Sequence, residues 1–318
     1  MFLRKTLAPI VVGLFVCAAT AAVTERAAAQ DADDATAYGA WLASSQANDI
    51  PKAIEAAEAY LAKFPAGAYA DFIKKWLSQT RLSALDTAIK AKDMTGMIAA
   101  GRLILANDPE NLNVLYALAF NLRVREIFAS PQNFGHAVEA REFAQKAVAL
   151  VEGGKTLTGV ENFDKNATLA WLYQTLAAVE ANGGGTTAAI ELYEKSSALG
   201  PDDVAIKGRN LLSVIALHQN AYSEAAKAFN ALPEADRTAA EPSDALKAAR
   251  DVLNGAADAF IDTAAAFIAF GREKKLPAAT VDRVNQTLET VYKGRHPEDA
   301  DLAGLKKILA DKGVPAGA

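Results

Sequence analysis

The 318-residue chain carries a single cysteine, and only three histidines and three methionines. The cysteine, Cys17, lies inside the one long apolar run near the start, Leu7 to Val23, which follows Arg4 and Lys5 in the layout of a secretory signal. Pro9 and Gly13 interrupt that run, and it falls short of the roughly 20 apolar residues that span a bilayer. Ala27-Ala28-Ala29 before Gln30 supplies small residues for a peptidase, so residues 1–29 are expected to be removed and the mature chain to begin near Gln30. Val16 is not the small residue that lipid attachment at Cys17 would need. The exported chain then has no thiol, which excludes disulfides, thiolate catalysis and cysteine metal sites together. A periplasmic or extracellular location follows from the signal.

Positive charge is also scarce. The whole chain carries −5, and residues 1–29 hold three basic side chains against one acidic, leaving −7 for the remainder. An acidic chain without basic clusters is a poor ligand for nucleic acid, because phosphate neutralisation drives that binding. Catalytic signatures are absent as well: no GxSxG, HExxH, Walker loop or strand-flanked GxGxxG occurs. His136, His218 and His296 fall in separate helical hairpins, and neither DADD at 31–34 nor HPEDAD at 296–301 has the spacing of a calcium loop. No cofactor, no metal and no enzymatic activity is expected. Gly183-Gly184-Gly185 is the only glycine run and reads as a turn, and Tyr292 to Pro297 reads as a helix end whose cations favour the negative pole of the helix dipole.

What is abundant is alanine and other helix formers, with glycine and proline at boundaries, which predicts helices throughout. A helical hairpin buries its apolar face only by stacking on a copy of itself, so a period near 34 residues is the informative test. From Ala170 to Pro201, with Ala170 as position 1, bulky Tyr173 falls at 4, Leu176-Ala177 at 7 and 8, Ala189 at 20, Tyr193 at 24, Ser196 at 27 and Pro201 at 32. Small residues at 8, 20 and 27 permit close approach, large ones fill the space left, and proline ends the second helix. Glu180 departs at position 11. Weaker copies run from Asp49 to Pro65, from Met94 to Pro109 with Met97 at the small position 20, from Asp108 through the segment His136 to Val151, and from Leu212 to Leu232, where a first helix around Ala216 is followed by a second from Tyr222. Loops are expected at 130–135 and 153–165.

These residues resemble the tetratricopeptide repeat as found in bacterial exported proteins. The resemblance implies an all-α protein, an α-solenoid of stacked helix-turn-helix repeats over 30–238, capped by a C-terminal helical region over 239–318. The apolar stretch Ala256 to Phe270 is broken by Asp258 and Asp262 and reads as a core helix, so no stable membrane insertion is expected after signal cleavage. In such arrays positions 2, 5, 9 and 12 of the first helix line a concave groove. That register gives Asn113, Tyr116, Phe120 and Arg123 in one hairpin, Trp171 and Gln174 in the next, and Lys207 and Asn210 in the third. Amides, cations and aromatics are the types that hold an extended backbone and pair a carboxylate. The implied role is a non-enzymatic scaffold of the cell envelope that binds a segment of another protein. The alternative is a small-molecule carrier or sensor with a pocket in the C-terminal region lined by Phe260, Phe267 and Phe270.

Overall fold

Asp49, Asp93, Asn111, Asp164, Asp203 and Ser243 each accept a backbone N–H three residues on, which fixes where a helix begins. The computed structural model describes residues 32–237 and 241–314, and these hold helices and no strand. The expected signal, residues 1–29, lies outside the described residues. The chain divides into two compact units at Ala84/Leu85.

The described part of the first unit contains α1 (Ala32–Gln46), α2 (Ile50–Lys63) and most of α3 (Ala70–Ala91). Trp41, Ala53, Ala57, Tyr60, Ile73 and Leu77 form its core. Ala53 and Ala57 lie one turn apart on α2 and are fully buried, with Tyr60 buried beside them.

The second unit continues with α4 (Met94–Leu105), α5 (Leu112–Leu122), a π-helical turn (Arg123–Ile127), α6 (Ala137–Glu152), α7 (Lys165–Asn182), α8 (Thr186–Leu199), α9 (Val204–Asn230), the single turn α10 (Glu234–Arg237), α11 (Asp244–Glu273), α12 (Ala278–Arg295) and α13 (Ala303–Asp311). Helices pack on their chain neighbours: α4 on α5, α5 on α6, α6 on α7, α7 on α8 and α8 on α9. In addition α5 touches α7 and α7 touches α9, so alternate helices form a second layer. This nearest-neighbour stacking of hairpins is helical-repeat architecture. The best repeat folds as its residues require. Ala170, Ala177 and Ala189 are fully buried, and Ser196 Oγ donates to Ala170 O at 2.7 Å, joining α8 to α7.

Two residues out of register have partners. Glu180 pairs with Arg141 of α6 at 3.0 Å instead of packing between helices. Met97, large where a small residue is usual, is matched by Gly101 one turn on. A Cβ there would come within 2.6 Å of a Leu118 methyl, so the volume has moved from one position to the next.

One expectation is overturned. Leu212 to Leu232 is not a hairpin: Leu212 to Asn230 belongs to the continuous 27-residue α9. The segment 217–224, Leu-His-Gln-Asn-Ala-Tyr-Ser-Glu, holds neither glycine nor proline, so nothing stops the i to i−4 hydrogen bonds. With no second helix of its own, α9 packs instead along the 30-residue α11. The C-terminal helices therefore share a body with the repeats that precede them. Phe260, Ala264, Phe267 and Ile268 on α11 pack with Val284 and Leu288 of α12 and Leu305 of α13. Among the described residues α11 is the one helix long and apolar enough to cross a membrane, and its apolar side is this core.

Candidate functional site

Alternate helices α5, α7 and α9 bring Phe120, Trp171, Ala205, Ile206 and Arg209 to one cavity of about 280 Å³, completed by Arg123 and Val124 of the π-helical turn and by Phe128 directly after it. In that turn the Phe128 amide reaches back five residues to Arg123 O at 2.9 Å. Arg123 keeps the register of α5, and the extra residue in the turn after it carries Phe128 to the cavity wall; π-turns are common at functional sites.

Arg123 is 4% exposed. Its guanidinium carbon lies 3.8 Å from the Trp171 ring centre and 4.9 Å from that of Phe128, and exposed Arg209 approaches Phe128 at 4.9 Å as well. Cations over aromatic faces are held by the ring quadrupole, worth about 0.5–2 kcal/mol each. Phe120 extends the aromatic surface, 6.5 Å from Trp171 and stacked on Tyr116 at 5.9 Å. Burial pushes the Arg123 guanidinium down to about 9, with the like charge of Arg209 acting in the same direction; Tyr116 and Asp203 oppose it. Burial also raises the Tyr116 phenol, against the pull of Arg123.

Behind Arg123 runs a buried polar chain. Arg123 Nη2 donates to Gln174 Oε1 in a short hydrogen bond. Gln174 Nε2 donates to Asn210 Oδ1 at 2.5 Å, and Asn210 Nδ2 to Ser196 Oγ at 2.9 Å and Tyr193 O at 3.2 Å. Both amides are buried, Gln174 completely. Groups so placed tie α7, α8 and α9 together and hold the guanidinium in position.

The eight residues expected to line a groove thus separate. Tyr116, Phe120, Arg123 and Trp171 converge. Gln174 and Asn210 lie in the interior beneath them. Asn113 is exposed but spent on the 153–165 loop, its Nδ2 donating to Thr158 O at 3.0 Å and its Oδ1 accepting from Thr158 N at 2.9 Å. Lys207 sits 5.3 Å over the Phe270 ring, outside the cavity wall. Arg209, Phe128 and Val124 were missed. Arg209 is one turn beyond Ala205 on the same face of α9, a signal that helical spacing could have supplied. The π-turn that delivers Phe128 has no such signature.

The alternative pocket in the C-terminal helices does not fit its expected lining, because Phe260 and Phe267 are fully buried in the packed core. The histidines remain apart: His136 Nδ1 meets the buried Glu126 carboxylate at 2.9 Å, and His296 faces Glu298 at 3.3 Å. No three acidic, histidine or cysteine side chains gather as metal ligands among the described residues.

No family model and no curated protein matches this chain. Among solved structures, one titled "Crystal structure of MamA protein" is similar over 71% of this chain and 95% of its own, at 15% identity and a TM-score of 0.35, a likeness too slight to bear on role.

Proposed function

We propose that the chain is an exported, non-enzymatic scaffold that holds a segment of another protein against the face formed by α5, α7 and α9. The observation that carries this reading is the convergence of Phe120, Trp171, Arg123 and Arg209 on one accessible cavity, with Tyr116 stacked on Phe120 behind it. Aromatic and arginine side chains bind most strongly where packing excludes water, and an aromatic–guanidinium wall fits a partner side chain better than a substrate undergoing chemistry. The polar chain beneath pre-organises the wall, which lowers the ordering cost of binding.

A photo-reactive amino acid at Val124, 37% exposed on the cavity rim, is expected to give a discrete protein adduct in cells, and one at Val138, 74% exposed outside the lining, none. Equal labelling at both positions, or none at Val124, removes the reading. Export is checked separately: the amino terminus of the protein recovered from the periplasm or medium should lie near Gln30.

A further inference from the structure

Arg123 and Arg209 are two cations facing one ring, and among the described residues neither has a carboxylate within ion-pair distance. For an exposed arginine this is ordinary. For Arg123 it is costly: its one side-chain hydrogen bond goes to a neutral amide, and its buried Nε has no acceptor. A buried charge is normally paired, and an unpaired one loses hydration that nothing replaces. Asp203 at the start of α9 supplies a field that Arg123 feels, but from beyond ion-pair reach. The cavity therefore carries two positive charges against one distant negative charge. Its remaining walls, Phe120, Val124, Phe128, Trp171, Ala205 and Ile206, are apolar or aromatic.

We propose that this cavity is a receptor for one carboxylate borne on an apolar body, accepted by the free donors of Arg123 and Arg209 while the body lies against Trp171 and Phe120. A monoanion balances the charge that Asp203 leaves uncompensated, whereas a phosphate dianion overshoots it. The volume, about 280 Å³, is at the low end for ligand sites and suits one such group, not an extended chain. Resting on the scaffold reading, the natural source is an acidic side chain beside an apolar one in the partner segment; a free organic acid has the same chemistry.

Phenylacetate, phenylacetamide, phenyl phosphate and a capped Phe-Glu-Phe peptide are titrated by calorimetry into the full chain and into Arg209→Gln. Phenylacetate should bind at one site, and the neutral amide, phenyl phosphate and the Arg209→Gln protein should each weaken binding by roughly tenfold or more. Arg209→Gln removes a like charge beside Arg123, so its unfolding midpoint should not fall, which separates lost binding from lost structure. Equal affinity for acid and amide, no saturation by millimolar phenylacetate, or unchanged binding in Arg209→Gln overturns the proposal, and tighter binding of phenyl phosphate overturns the choice of a monoanion. Phenylacetate binding without peptide binding would leave the receptor and remove the partner-segment source. Peptide binding that ignores Arg209→Gln would do the reverse.

Discussion

A single asparagine decides much of the interior of the second unit. Asn210 is 1% exposed and joins Gln174 on α7 to Ser196 on α8. Asn210→Ala would leave the Gln174 amide and the Ser196 hydroxyl with fewer partners in a dry environment, at about 1–3 kcal/mol for each buried group so orphaned. A loss of about 2 kcal/mol in urea unfolding is expected; an unchanged midpoint would show that the side chain faces a groove, as its register suggested. Gly101 is a similar test of packing. Gly101→Val drives a branched side chain into Leu118, which is fully buried, and overpacking of this kind costs about 1–3 kcal/mol. Thermal denaturation should show a lowered midpoint, and Gly101→Val combined with Leu118→Ala should recover part of it. Both residues carry signals in the sequence, a periodic polar position and a misplaced glycine. Only neighbouring helices reveal that the first is structural and the second the counterpart of Met97.

At the scale of elements, starts were more legible than stops. Asp, Asn or Ser at the head of six helices marks where each begins, and Pro277 stands immediately before α12. Expected loops at 130–135 and 153–165 lie between helices because polar and turn-forming residues fill them. α9 shows the limit of pattern reading: Ala225, in the expected second helix from Tyr222, is buried, yet the helix does not turn before it. Periodicity reports which face is buried and not whether the chain has reversed. Ala221→Pro discriminates between the two. In a continuous helix it removes a hydrogen bond and clashes with the preceding turn, costing about 3 kcal/mol or more, whereas a hairpin loop would accept it. Circular dichroism during thermal unfolding is expected to show a clearly lowered midpoint for this variant.

For the molecule as a whole, stability must come from packing, since a chain with one cysteine can close no internal disulfide. One half-buried base contributes a pH dependence. His218 on α9 is held below its ordinary value by burial, although Glu194 and Asp262 act in the opposite direction. Because the unfolded chain takes up the proton more readily, stability is full above the unfolded value near 6.5 and is lost as pH falls through the lower folded value. Chemical denaturation between neutral pH and pH 5 should therefore weaken the protein, and His218→Gln should flatten that part of the profile; an unaltered slope would assign the loss to other groups. The amino-acid sequence by itself determined the helical class, the buried faces and the hairpin from Ala170 to Pro201, because these depend on local propensity and on spacings of three or four residues. Tertiary structure alone decided that α9 runs unbroken against α11, that Gln174 and Asn210 turn inward, and that Arg123 and Arg209 share one cavity. Such outcomes depend on which distant surfaces meet, and a π-turn that shifts register by one residue leaves no periodic trace along the chain.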